Sequence, residues 1–139
     1  MSQTAIFWPM LAHVLLVYIV YGVMAKRRYG PIRSGEVKAG RFKVRGDEPA
    51  GSATVAANLM NQFELPVLFH VLSLALYVTN GVNYLTLILM WIFVISRYAH
   101  AWVHLTSNDL RWRNNTFVLG VIVLGICWIW FALHIAVAA

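Results

Sequence analysis

Two stretches of the sequence carry polar side chains whose types could bind a small charged ligand. In the first, Asn61 and Glu64 belong to the run NQFELP. In the second, Arg97, His100 and His104 are spaced i, i+3 and i+7. At about 100° per residue, these three side chains share one helix face about 60° wide. An arginine can clamp a carboxylate with two hydrogen bonds, and a carboxylate can hold an ammonium group.

Together these groups suit a small, polar, anionic ligand. A tripeptide thiol such as glutathione carries two carboxylates, two amides and an ammonium, so it matches them chemically, although the match does not identify the ligand. We expect no metal, because the single cysteine, Cys127, lies in an apolar run without metal-ligand spacing. The polar residues could alternatively be interhelical hydrogen-bonding groups, which contribute about 0.6 kcal/mol each in membranes.

The composition indicates an integral membrane protein. The 139 residues are 60% hydrophobic and only 12% charged, whereas a soluble domain has about 25% charged residues. The net charge of +6 is best explained by cationic loops on the cytoplasmic side of a membrane. We therefore expect membrane lipid, and not nucleic acid, as a partner.

Four apolar segments are each long enough to cross a bilayer as a helix, which takes about 20 residues. They cover approximately residues 5–25, 53–79, 84–105 and 116–138. The predicted fold is an all-α, four-helix membrane bundle that forms a single domain over residues 1–139. Pro66 is expected to kink the second span and to free a carbonyl near the polar groups.

The loops predict an orientation in the membrane. Ten of the eleven Lys and Arg residues lie in loop one (26–52) or loop three (106–115), whereas residues 79–83 carry no charge. Loops one and three should therefore face the cytoplasm, with both termini on the opposite side. We expect the inner membrane of a bacterium.

Glu64 and Arg97 are the two charged side chains inside the spans. Helix rise places them about 16 Å and 12 Å from the cytoplasmic ends of their helices. Charges inside membranes usually pair, so we expect an ion pair within one chain or between subunits. Gln62 is expected to point to a neighbouring helix. His13 and His134 stand apart from the cluster and are interpreted as structural.

The runs NQFELPVLF (61–69) and RYAHAWVHLTSNDLRWRNNTF (97–117) resemble the MAPEG family, the membrane-associated proteins in eicosanoid and glutathione metabolism. The resemblance covers nearly the whole chain and suggests a bacterial-type member. It implies a homotrimer in which glutathione, as a co-substrate, binds between neighbouring subunits near the cytoplasmic side.

The family's helix-two motif, Arg-x3-Asn-x2-Glu, is matched by Asn61 and Glu64, with Ala57 at the arginine position. The helix-three motif of its prostaglandin-E-synthase-like members is Arg-x2-His-x3-Tyr-x8-Arg-x3-Tyr. It is matched at the same spacing by Arg97, His100 and Arg113, with His104 and Phe117 at the two tyrosine positions.

The resemblance also implies roles for these residues. Arg113 matches an arginine near the glutathione sulfur, where a cation favours the thiolate. Asn114 stands where the family can carry a hydroxyl residue, and Arg28 or Arg27 could serve as the arginine at the end of helix one. The implied catalytic residues are Arg113 and Asn114. The implied thiol-binding residues are Asn61, Glu64, Arg97, His100, His104 and Arg28.

Three functions are compatible with the sequence. The first is an enzyme that transfers glutathione or a related thiol to an apolar small-molecule electrophile, or reduces a lipid hydroperoxide. The second, favoured by Ala57 and Phe117, is a non-catalytic trimeric scaffold or accessory subunit. The third is a small transporter or channel, although the sequence lacks inverted halves and a filter-like loop.

Overall fold

The structure, a computed structural model, describes residues 1–43 and 47–138, so the predicted loop residue Arg45 lies outside the described residues. Within the described part the chain is helical, and four helical stretches are long and apolar enough to cross a membrane. The prediction of an all-α protein with four apolar membrane helices is confirmed. The five α-helices of the described part are α1 (Phe7–Arg33), α2 (Ala50–Asn61), α3 (Leu65–Val78), α4 (Tyr84–Leu105) and α5 (Leu110–Ala138).

The bundle is organised around α4, which packs along α5 and also contacts α1 and α2. Phe69 of α3 stacks on Phe93 of α4 with 4.8 Å between ring centroids. Apolar side chains from α3, α4 and α5 form the core around this pair. Many large apolar side chains on the outer faces are exposed, as expected for helices that meet lipid or other subunits.

The first helix is longer than its predicted span. The sequence suggested that loop one begins at residue 26, but α1 continues to Arg33. Lys and Arg are good helix formers, and cations near a helix C-terminus interact favourably with its dipole. Arg27 also fixes this extension, because its guanidinium donates hydrogen bonds to the carbonyl oxygens of Gly51 and Leu105 at 3.1 and 2.6 Å.

The last helix begins six residues earlier than predicted. Arg111 and Arg113 were assigned to loop three, but α5 starts at Leu110 and contains both. The cause is Asp109, whose Oδ1 accepts hydrogen bonds from the backbone N–H groups of Arg111 and Trp112. A carboxylate in this position satisfies donors at a helix N-terminus that have no partner within the helix.

The second span is interrupted. It consists of α2 and α3 with a break at Gln62–Glu64, immediately before Pro66. Proline has no N–H and cannot continue the backbone hydrogen-bond ladder of a helix. The predicted kink is therefore present as a complete break, and the sequence NQFELP spans it.

Helices α4 and α5 approach closely at Gly120. A Cβ at this position would lie 2.9 Å from Ser96 Oγ, whereas a Cβ at Gly125 on the same helix would meet no heavy atom within 4 Å. Ser96 Oγ is itself held by a 2.6 Å hydrogen bond to the Phe93 carbonyl. This contact therefore has little room to adjust.

We expect Gly120→Leu to lower the free energy of unfolding by about 1–3 kcal/mol, the usual cost of overpacking. Gly125→Leu is the matched control and should leave stability nearly unchanged. Denaturant unfolding in detergent micelles measures both variants. Equal losses in the two would show that α4 and α5 do not meet at Gly120.

Candidate functional site

The break between α2 and α3 exposes a backbone carbonyl to the polar residues of α4. Arg97 Nη2 donates a hydrogen bond to the Asn61 carbonyl oxygen at 3.3 Å. In an unbroken helix this oxygen would accept from residue 65. The predicted freed carbonyl is thus present, and Arg97 is its partner.

His100 connects three elements of the site. Its Nδ1 donates to the backbone carbonyl of Arg113 on α5 at 3.0 Å. Its Nε2 then has a lone pair and accepts from the Asn61 side-chain amide at 3.5 Å. The imidazole of His100, which is 3% exposed, therefore joins α4 to α5 and to the end of α2.

Arg113 is held at the start of α5 by the preceding loop. Its Nη1 donates to Asn108 Oδ1 at 2.7 Å. Asn108 has a φ of 50°, a left-handed conformation that asparagine tolerates better than most residues. The loop thus gives the Arg113 guanidinium a fixed partner, and α5 carries Asn114 beside it.

Four of the predicted site residues line one cavity of about 450 Å³. Asn61, His100, Arg113 and Asn114 contribute its polar wall, and the α5 side chains Leu110 and Phe117 contribute its apolar wall. The cavity therefore combines a cation and hydrogen-bonding groups with an apolar surface. Leu110 carried no signal of its own in the sequence, because it lies in what looked like a loop.

Arg97 contacts Phe117, which lines this cavity, but does not itself line it. Its side chain is fully buried, and its Cζ is 5.5 Å from the centroid of the Phe117 ring, a cation–π distance. Its Nε and Nη1 have no hydrogen-bond partner in the described part of the chain. A buried guanidinium with two donor nitrogens that lack partners is costly.

The predicted ion pair between Glu64 and Arg97 does not form within one chain. Among the described residues the ion pair within 4 Å is that of Arg28 with Glu48. Glu64 is exposed, because the break turns its backbone away from helical geometry, with φ −96° and ψ −100°. Ala57 on α2 is also exposed.

Two other predicted residues have different surroundings. His104 is buried and packs edge to face on His100, with ring centroids 5.6 Å apart, but its Nδ1 has no partner among the described residues. Arg28 lines a separate cavity of about 270 Å³ with Phe42 and Glu48, and its Nη2 is 3.1 Å from Glu48 Oε2. Within one chain, Arg28 is therefore not part of the cavity that Arg113 lines.

The interpretation of His13 as an isolated residue is wrong. Its Nε2 lies 3.2 Å from Gln62 Oε1, and its Nδ1 lies 3.1 Å from His70 Nε2. Gln62 points to a neighbouring helix, as predicted. His134 also has a partner, because its Nε2 lies 3.1 Å from the Thr79 carbonyl oxygen.

Within the described residues, no group of three or more His, Cys, Asp and Glu side chains is arranged to hold a metal ion.

These features define the described part of the chain as an integral membrane protein of four helical spans, with a cation-lined cavity at the interruption of the second span. The model of the MAPEG family matches residues 5–133. The chain therefore belongs to the MAPEG family. No curated protein and no solved structure gave a significant match to the chain.

We expect His100→Leu to lower the free energy of unfolding by about 1–3 kcal/mol, because it removes the hydrogen bond to the Arg113 carbonyl and leaves the Asn61 side-chain amide without its partner. His104→Leu is the control, since it makes the same change in an equally buried side chain whose Nδ1 has no partner. Thermal unfolding in detergent compares the two. The role given to His100 is wrong if His104→Leu is as damaging.

Proposed function

We propose that this protein is a membrane-embedded transferase or peroxidase that uses glutathione or a related thiol against apolar electrophiles. The observation that supports it most directly is the cavity that combines Arg113, Asn61 and His100 with the apolar side chains Leu110 and Phe117. Membership of the MAPEG family adds support, because its members are typically glutathione-dependent transferases or peroxidases.

The polar wall would hold the body of the thiol. The buried Arg97, whose Nε and Nη1 have no partner in the described chain, would provide positive charge next to this wall. The Asn61 amide would meet a peptide group, and His100, whose two nitrogens are engaged by Arg113 and Asn61, would orient that amide. Glu64, exposed at the same break, would take the α-ammonium. His104 would add a hydrogen-bonding group beside His100.

Arg113 would stabilise the thiolate, which is the nucleophilic form of the thiol. Asn114 would lie beside the sulfur. The thiol proton goes to solvent, and the sulfur bonds to an electrophilic carbon whose leaving group departs with the bonding electrons. With a hydroperoxide, the sulfur attacks the terminal oxygen and an alcohol leaves. A second thiol then converts the sulfenic acid to a disulfide and water.

Glutathione calorimetry on the purified protein in detergent tests this proposal, together with turnover of an electrophilic chloronitroarene and of a fatty-acid hydroperoxide. We expect saturable binding that Glu64→Gln weakens. Arg113→Ala should lower kcat about a hundredfold, as when one stabilising donor is removed from an active site, while the protein stays folded.

Arg111→Ala is the matched control, because Arg111 is an exposed arginine two residues away on the same helix. It should leave binding and turnover unchanged. Absence of saturable glutathione binding to the intact protein would favour the alternative function, a non-catalytic trimeric scaffold or accessory subunit. The observation that favours this alternative is Ala57, which supplies no guanidinium where the family motif has one.

We also propose a homotrimer whose neighbouring subunits cover Glu64 and complete the thiol site. In a single chain this carboxylate is exposed in the middle of the second span, and an unpaired acid at the centre of a membrane helix costs about 2.5–3.5 kcal/mol on insertion scales. A neighbouring subunit could supply the helix-one arginine that this chain's own Arg28, paired with Glu48, does not bring to the cavity. Loops one and three would face the cytoplasm of a bacterial cell.

Because Ala57 is an exposed small residue on α2, seven residues before Glu64, we expect Ala57→Trp to reduce the trimer fraction in analytical ultracentrifugation. Ala132→Trp places the same bulk at an exposed alanine of α5 and should leave the trimer intact. A monomeric wild-type protein would refute the trimer. Dissociation by Ala132→Trp alone would place the subunit contact away from Ala57.

A further inference from the structure

A continuous hydrogen-bond chain crosses the bundle beside the break. Gln62 Nε2 is 3.2 Å from Asn58 Oδ1, Gln62 Oε1 is 3.2 Å from His13 Nε2, and His13 Nδ1 is 3.1 Å from His70 Nε2. Asn58, Gln62 and His13 are each at most 2% exposed. These hydrogen bonds therefore join α1, α2 and α3 in the interior of the bundle.

Hydrogen-bonding chemistry determines which atom donates in each of these hydrogen bonds. Gln62 Oε1 has only lone pairs, so His13 Nε2 must carry the hydrogen. In a neutral imidazole the other nitrogen is then an acceptor, so His70 Nε2 donates to His13 Nδ1. Gln62 is held from both sides, as an acceptor from His13 and as a donor to Asn58.

Gln62 is the first residue of the break, and its neighbour Asn61 provides both the carbonyl that Arg97 binds and the amide that reaches His100. Adjacent residues at a helix end point in different directions. With Gln62 held against α1, Asn61 is directed towards α4. A change that releases Gln62 therefore releases the part of the chain that carries Asn61.

We propose that His13 is a positioning residue for the cavity: by holding Gln62, it maintains the shape of the break that presents Asn61 to Arg97 and His100. Its effect on ligand binding rests on the proposed function, whereas its effect on the break does not. A purely stabilising role would predict a lower melting temperature with no local change at residues 62–65.

The test compares His13→Leu, which removes both hydrogen bonds of the imidazole, with His13→Gln, which keeps a donor and an acceptor. Ser73→Ala is the control, because Ser73 is a fully buried polar residue of α3. Its hydroxyl donates to the Phe69 carbonyl and takes no part in the hydrogen bonds between Gln62, His13 and His70. Hydrogen exchange of the amides of residues 62–65 is measured by mass spectrometry on ligand-free protein. Glutathione affinity is measured separately by calorimetry.

In His13→Leu we expect exchange at residues 62–65 to accelerate about tenfold, with a similar weakening of the glutathione Kd, as for the loss of the buried hydrogen bond that holds Gln62. His13→Gln should restore much of both, and Ser73→Ala should change neither. Unchanged exchange at these amides in folded His13→Leu would overturn the inference. If His13→Leu does not fold, Gln62→Met tests the inference instead, because it removes the hydrogen bonds of Gln62 with a side chain of similar length.

The two proposals fail in different ways. A wild-type protein that binds no glutathione would refute the proposed function, and the exchange comparison would still test the role of His13. Normal affinity in His13→Leu together with faster exchange would show that the break moves without affecting the site, and would overturn the positioning role.

Discussion

Backbone groups inside a bilayer have no water to bind, so an interrupted span requires protein partners for the carbonyls that it frees. At the break between α2 and α3, the Asn61 carbonyl receives Arg97 from α4. On the opposite side, Gln62 is held by His13 from α1. The interruption of one helix therefore determines where polar side chains must lie on two others, and the rest of the site follows from this requirement.

The same requirement connects the break to α5. His100 lies one turn after Arg97 on α4 and bonds both the Asn61 amide and the Arg113 carbonyl. Because this carbonyl belongs to the first turns of α5, the position of the last helix is coupled to the break. Phe117, one further turn along α5, then covers the Arg97 guanidinium. Stability and candidate chemistry consequently depend on the same few contacts.

The sequence was sufficient for the parts of the fold that depend on hydropathy and on short motifs. The four apolar helices follow from segment length, and Pro66 indicated the break. The start of α5 was not predictable from hydropathy, because it depends on a cap by Asp109. The resemblance placed Asn61, His100, Arg113 and Asn114 in one site, and all four line one cavity.

Two expectations were not met within the single chain because they depended on three-dimensional direction. The ion pair, expected within one chain or between subunits, was inferred from similar depths along two continuous helices. Its within-chain form is absent because the break redirects the Glu64 backbone, and depth alone does not reveal this. His13 looked isolated because its partner Gln62 is 49 residues away in the sequence. A single polar residue on an apolar helix carries no sequence signal that identifies a partner on another helix.

The state of Arg97 bears on the choice between an enzyme and a scaffold. Replacing buried charges with apolar residues of similar size is often neutral or stabilising, although in this chain Arg97 also satisfies the Asn61 carbonyl that the break frees. Asn61 alone accounts for one of its donors, and Nε and Nη1 are left without partners in the described chain. An anionic group that approached either nitrogen would offset the charge. The missing helix-two arginine at Ala57 makes this more important, because Arg97 and Arg113 are then the guanidinium groups that remain at the break for a carboxylate and a thiolate.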